Sequence, residues 1–218
     1  MNTNPDSEAN LEAEVMKTFH ELGYETVDAY HEIFGVNGTL GRDNRTEVVL
    51  TRYLREALQR LNPNLPDSAY AQAIDILTQS QSLKGSLESA NEEVYHLLRD
   101  GVTVTIPDPK TGRETKHTLR VIGWNPEDMV HNHFLAVQQL WGASELYTRR
   151  PDIILFVNGI PLVIIELKAV HRDLRHAYDD NIRDYKDTLP EWMWYNAFII
   201  ASNGAEARIG SISSRWEH

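Results

Sequence analysis

The sequence predicts a mixed α/β (α+β) fold, with a central mixed β-sheet flanked by helices and a mainly helical N-terminal part. Three observations carry the prediction. Apolar residues recur at helical spacing through residues 1–100, the period drops to two after Gly101, and the segment 152–168 is apolar on both faces. A hairpin apolar on both faces must be covered on both, which sets helices above and below the sheet.

Each element follows in order. Residues 1–10 (MNTNPDSEAN) are polar and expected to fray. Residues 7–22 read as an amphipathic helix with Leu11, Val15, Phe19 and Leu22 on one face. Asp6 or Ser7 can cap it and Gly23 stops it. Residues 35–45 are rich in glycine and asparagine and read as a loop. A second helix covers 46–61 on Val49 or Leu50, Leu54, Leu58 and Leu61, ended by Asn62-Pro63. A third begins after Pro66 with Asp67 or Ser68 as cap, and a fourth runs from about Ser86 to Arg99, closed by Gly101. Val102, Val104 and Ile106 then alternate with threonines, Lys110 to Gly112 turn, and Thr115 to Gly123 return as a hairpin. Residues 132–141 favour a strand. Two apolar strands follow, Asp152–Val157 and Leu162–Lys168, joined around Asn158-Gly159. Residues 172–188 are expected to be helical, and Tyr195–Ser202 to be a strand.

A chain of 218 residues suits one domain, 1–218, with 1–100 helical and 101–218 bearing the sheet. It has no cysteine, which excludes disulfides and thiolate metal sites. No N-terminal targeting signal is visible, and the longest apolar run, Ile153 to Ile165, is broken by Asn158-Gly159 and too short to span a membrane. A soluble, cytoplasmic protein with no membrane partner is expected. The net charge of −11 argues against nucleic-acid binding by the whole surface, but residues 1–100 carry −9 of it. Residues 149–186 carry a net +1.

That less acidic segment holds the chemistry: Arg149-Arg150-Pro151-Asp152, thirteen residues, then Glu166-Leu167-Lys168. Phosphodiester hydrolysis needs an activated water and neutralisation of developing charge, and a cation held by carboxylate oxygens supplies both. Asp152 and Glu166 are the candidate ligands, with the Leu167 carbonyl between them. Lys168 shares a face with Glu166 and can orient the water. A cross-strand ion pair is the plain alternative. Against it, Glu166 and Lys168 interrupt an apolar strand, where a buried charge costs several kcal/mol unless it has a partner or a metal.

Parity along the hairpin sharpens the expectation. A plain two-residue turn pairs Val157 with Ile160 and Asp152 with Ile165, which sends Asp152 and Glu166 to opposite faces. A shared ion therefore requires a three-residue loop, Val157-Asn158-Gly159, with Gly159 left-handed, or a compensating bulge.

The stretch RRPDIILFVNGIPLVIIELK resembles the hallmark of the PD-(D/E)xK nuclease domain of type I restriction enzyme R subunits. SEANLEAEVMKTFHELGY, ANEEVYHLLRDGVTV, IIASNGAEARIGS and SRWEH extend the resemblance over nearly the whole chain, with 35–80 poorly covered. It implies a restriction-endonuclease-like core with Asp152, Glu166 and Lys168 as the catalytic set and Mg²⁺, replaceable by Mn²⁺, as cofactor. It also implies a Gln-x-x-x-Tyr pair on the following helix, matched here by Asn181 and Tyr185, with asparagine one methylene short. An N-terminal glutamate facing the site is implied too; Glu8 is placed first, and Glu12 lies one turn away. Arg149, Arg150, Arg172, Arg175, Arg183 and Lys186 are candidate phosphate contacts, although such charges often only solvate a face.

No G-x-x-x-x-G-K-[ST] occurs, so ATP is expected only in motor domains that follow in a larger R subunit. Expected partners are double-stranded DNA and the methyltransferase and specificity subunits of a restriction complex. A docking module of the same fold is the competing reading. The complete Asp-Glu-Lys set favours the enzyme.

Overall fold

The structure is a computed structural model that describes residues 7–82, 84–108 and 111–216. Helix α1 (Glu8–Glu21) begins where Ser7 accepts the Asn10 amide at 3.3 Å, so residues 8–10 of the segment expected to fray are helical. Asp6, the other cap candidate, lies outside the described residues. Strand β1 (Glu25–Asp28) was not anticipated; four residues with two half-buried positions give too weak an alternation to read.

Helix α2 (Thr51–Leu61) starts five residues later than expected, because the Leu50 amide is drawn to the Gly159 carbonyl at 2.9 Å. Helix α3 (Asp67–Thr78) has Pro66 at its cap position, with Asp67 already helical. Helix α4 (Leu87–Asp100) is capped by Ser86 and closed by Gly101. Strands β2 (Val102–Pro107) and β3 (Glu114–Leu119) form the expected hairpin. The return strand stops at Leu119 because Arg120 turns its amide to Asn62 Oδ1, 2.8 Å away. Lys110, placed in the turn, lies outside the described residues.

After a short α5 (Pro126–Met129), the ambiguous segment yields strand β4 (Phe134–Gln138). A two-stranded ribbon, β5 (Gly142–Ala143) and β6 (Thr148–Arg149), precedes β7 (Ile153–Val157) and β8 (Ile160–Leu167). A π-helical turn (Ala177–Ile182) leads into α6 (Arg183–Thr188), so the helix expected over 172–188 starts only after Leu174 and is widened in its first half. Such turns are frequent at functional sites. Tyr195 ends an unanticipated α7 (Pro190–Trp194), donating its hydroxyl to the Leu77 carbonyl, and β9 starts only at Phe198 (Phe198–Ser202). β10 (Ala207–Gly210) completes the chain of elements.

Six strands form one mixed sheet, ordered β1-β4-β7-β8-β9-β10, parallel at β1–β4 and β8–β9 and antiparallel elsewhere. Both faces of the central hairpin are buried, as its composition required. Ile153, Leu155, Val163 and Ile165 pack with Met16 and the apolar stripe of α1. Ile154, Phe156 and Ile164 pack with Ala177, Ile182, Tyr185 and Trp192. A third cluster joins α2, α3, α4 and the β2–β3 hairpin to Ile160 at the turn end of β8.

The turn resolves the parity question. Val157 pairs with Ile160 across a two-residue turn in which Asn158 (φ 54°) and Gly159 (φ 80°) are both left-handed, a type I′ geometry. The three-residue loop is therefore absent, and the compensating device is a bulge. Phe156 pairs with Pro161 but Leu155 with Val163, leaving Leu162 as an extra residue in β8. Beyond it Ile153 pairs with Ile165, and the same register sets Asp152 opposite Glu166. The two carboxylates emerge on one face, the face covered by the π-turn and α6.

Candidate active site

Three elements meet at the open end of the β7–β8 hairpin: the last residues of β8, the residue before β7, and Tyr185 of α6. Glu166 is 1% exposed, buried by the α6 face that shields the sheet. Its Oε1 accepts the Tyr185 hydroxyl at 2.7 Å, and its Oε2 lies 4.0 Å from Lys168 Nζ. Asp152 Oδ2 accepts the Leu167 amide at 2.7 Å, which ties the aspartate to the strand carrying the other two residues.

The electrostatics are unbalanced. Burial, then the negative charge of Asp152, pushes the Glu166 carboxyl up to about 8, against the smaller help of Tyr185 and Lys168. Burial also raises Asp152, the Leu167 amide and Lys168 opposing it. Tyr185 is held protonated by burial and by the adjacent Glu166 charge, so its hydroxyl remains a donor. One buried and one half-buried carboxylate on one face with one lysine leave room for positive charge.

Both N-terminal glutamates reach this end of the sheet by different routes. Glu8 Oε1 accepts the Ala169 amide at 3.3 Å. Glu12 takes both its oxygens to Gln139 Nε2 at 2.9 Å, and its carboxyl is raised by burial. Gln139 also lies 3.5 Å from Asp152 Oδ1 and donates its backbone amide to the Asp152 carbonyl at 2.8 Å. Gln139 went unread in the sequence because it lies in the ambiguous 132–141 segment; its one peculiarity, a φ of 56°, has no sequence signature. Asn181 stands behind Tyr185, its Nδ2 3.4 Å from the hydroxyl, so the Asn-x-x-x-Tyr pair and Glu166 form a chain.

The basic candidates part company. Arg149 forms a two-pronged pair with Asp184, its Nη2 2.9 Å from Oδ1. Arg175 and Arg183 both reach Asp179, at 3.0 and 3.8 Å. Lys186 is half-buried, with burial lowering its pKa, and its Nζ lies 3.5 Å from the Ser214 carbonyl. Arg172 is exposed, and Arg150 sits against two aromatic rings.

Asp152 and Glu166 are the side chains that could hold a hard cation, with the Leu167 backbone between them. Among the described residues no group of three or more acidic or histidine side chains is arranged to hold one. A two-carboxylate set suits Mg²⁺, which keeps several waters, better than a cation that demands a full protein cage.

Residues 5–218 match the family described as type I restriction enzyme R protein N terminus. The chain is 36% identical over 216 residues to the type I restriction enzyme HindI endonuclease subunit of Haemophilus influenzae, covering 97% of this chain and 20% of that protein. It is 25% identical over 187 residues to the putative type I restriction enzyme MjaIXP endonuclease subunit of Methanocaldococcus jannaschii, covering 81% and 17%. Against the type I restriction enzyme SsaAORF53P endonuclease subunit of Staphylococcus saprophyticus it is 26% identical over 203 residues, covering 93% and 19%. The chain thus spans about a fifth of the length of the curated relatives it matches. No helix among the described residues is long and apolar enough to cross a membrane. The match over residues 5–218 establishes that this chain belongs to the type I restriction enzyme R protein N-terminal family.

Proposed function

We propose that the chain is one endonuclease domain that hydrolyses phosphodiester bonds of double-stranded DNA, with Asp152, Glu166 and Lys168 in the reacting centre. The observation that supports this most is Glu166, a 1% exposed carboxylate facing Asp152, with one tyrosine hydroxyl and one lysine as counterweight. A purely structural position would be better filled by an apolar side chain. A docking module has no use for such a pair.

Mg²⁺, or Mn²⁺ in its place, would be held by Asp152, Glu166 and the Leu167 carbonyl, and would supply charge neutralisation and a more acidic bound water. The chain's own residues do the rest. Lys168 orients the attacking water and offsets negative charge as the phosphorus becomes five-coordinate and the leaving oxygen departs. Tyr185, braced by Asn181, fixes one Glu166 oxygen so that the other faces the reacting side. Glu12 and Gln139 fix Asp152 in the same way, and Glu8 anchors α1 to the end of β8. Arg150 and Arg172 are the basic candidates without a carboxylate partner among the described residues, and they make the first phosphate contacts. Arg149, Arg175, Arg183 and Lys186 contribute by exchanging their internal partners for phosphate.

In the larger assembly that the relatives' names describe, we place this domain in the cytoplasm beside methyltransferase and specificity subunits. Motor domains elsewhere in the R subunit would bind ATP and deliver the DNA. Restriction of phage by the complete system carrying Lys168→Ala tests the proposal. The expected result is loss of restriction with ATP-driven translocation retained. Wild-type restriction by that variant would overturn it.

A further inference from the structure

Arg149, Arg175 and Arg183 are paired with carboxylates within the protein, whereas Arg45 and Arg150 are held differently. Arg45 and Arg150 make no ion pair with a carboxylate among the described residues; aromatic faces hold them instead. The Arg150 guanidinium lies 4.7 Å from the Tyr30 ring centre and 4.9 Å from that of Trp141, and Arg45 lies 5.1 Å from Trp141. Arg45, Trp141, Arg150 and Tyr30 therefore form an alternating ladder of cations and rings.

The ladder rests on a rigid base. Arg42 is 1% exposed and pairs with Glu32, and it donates to the carbonyls of Glu47 at 2.9 Å and Trp141 at 3.0 Å. The Ala143 amide donates to the Arg45 carbonyl at 2.9 Å. These bonds lock the loops around residues 29–47 and 139–143 together. Beside them opens a cleft of ≈ 270 Å³ lined by Tyr30, His31, Glu32, Phe34, Arg45 and Trp141. Tyr30 is 47% exposed, and Phe34 is 39%. Of the acidic side chains here, Glu32 is neutralised by Arg42, Asp28 Oδ1 accepts the Tyr30 amide at 2.9 Å and Glu47 Oε2 accepts the Asp43 amide at 3.2 Å; Asp43 lies exposed on the same loop. The ladder also leads to the candidate reacting centre: Arg150 is two residues from Asp152, and its charge acts on Glu12.

A guanidinium stacked on a ring keeps its in-plane N–H donors for phosphate oxygens. Ring faces accept nucleobases by stacking, and only unpaired bases expose theirs. A closed duplex can use the arginines but not the rings. We propose that this ladder is a binding track for an unpaired DNA strand next to the scissile phosphate, with phosphates on Arg45 and Arg150 and bases against the exposed ring of Tyr30 and the partly exposed ring of Trp141. The inference rests on the nuclease reading of the neighbouring site and adds the strand form it receives.

The test is anisotropy of the 218-residue protein in EDTA, where binding is read without cleavage, using labelled oligothymidylate, a duplex of the same length, and polyglutamate as competitor. Oligothymidylate should bind more tightly than duplex. Trp141→Ala and Tyr30→Ala should each weaken the single strand roughly 5- to 100-fold and barely affect duplex, whereas Trp141→Phe and Tyr30→Phe should retain binding. Arg45→Gln and Arg150→Gln should weaken both forms and flatten the single-strand salt slope by about 0.7 for each arginine–phosphate pair removed. Circular dichroism monitors folding, and the exposed Tyr30 keeps the test decisive if Trp141→Ala unfolds. Absence of single-strand binding, equal or tighter binding of duplex, equal losses on both forms from the ring variants, or competition by polyglutamate as strong as by DNA would each overturn the track. None of these outcomes touches the Lys168→Ala test, and restriction unaffected by Lys168→Ala would sink the nuclease reading alone.

Discussion

The two ends of the β7–β8 hairpin bury polar groups under opposite rules. At the turn end Asn158, 0% exposed, has both side-chain atoms satisfied. Its Nδ2 donates to the Val121 carbonyl and Asn132 Oδ1 at 2.8 and 2.9 Å, and its Oδ1 accepts the His133 amide at 2.7 Å. At the open end Glu166 is equally buried but faces a second carboxylate, and its pKa is pushed up to about 8. A fully bonded neutral group fixes a fold, whereas an under-compensated charge destabilises one and is retained for chemistry. One hairpin thus carries its anchor at one end and the groups we propose to react at the other, with the Leu162 bulge setting the face they share.

The contrast can be broken first at the open end. Asp152→Ala, Glu166→Ala and Lys168→Ala should each lower DNA cleavage by the assembled restriction complex at least about a hundredfold, and Glu166→Ala, which removes the under-compensated charge, should hold or raise the melting temperature of the domain. The mirror result is expected at the turn. A Cβ on Gly159 meets the Leu50 carbonyl and the Leu54 amide at a φ of 80°, so Gly159→Ala should destabilise by about 3 kcal/mol in chemical denaturation. Its residual folded fraction should keep normal cleavage per folded molecule. Smaller again is Tyr185→Phe. Losing the 2.7 Å bond raises the Glu166 pKa further, so cleavage should fall about tenfold and the acidic limb of its pH profile should move to higher pH. A uniform loss at all pH values would assign Tyr185 to packing alone.

Much of this was legible in the residues. Two-sided apolar strands required a covered central sheet, and parity required either an odd loop or a bulge before Asp152 and Glu166 could meet. The choice between them was not legible, because Leu162 bulges to fit the helical cluster around Ile160, a tertiary demand that local pattern does not encode. Strand β1 was missed because its pairing comes from β4, more than a hundred residues away. Gln139 was missed because a left-handed glutamine has no sequence mark. Glu8 was placed ahead of Glu12, and the structure gives each a separate bond at this end of the sheet.

The most direct test of the central claim is thermal unfolding of the 218-residue protein and Glu166→Gln, in EDTA and in Mn²⁺, across pH. Between the ordinary glutamate value and about 8, folded Glu166 retains a proton that the unfolded chain has released. The native state then binds more protons, so wild-type stability should fall as pH rises through that window. Glutamine keeps an acceptor for Tyr185 but carries no charge. In EDTA, Glu166→Gln should therefore be the more stable protein at pH 8, by about 1–2 kcal/mol, and nearly equal at pH 5. Mn²⁺ should raise the melting temperature of wild type and leave the variant unmoved. A variant less stable than wild type at pH 8 in EDTA, with Mn²⁺ shifting both alike, would contradict the account.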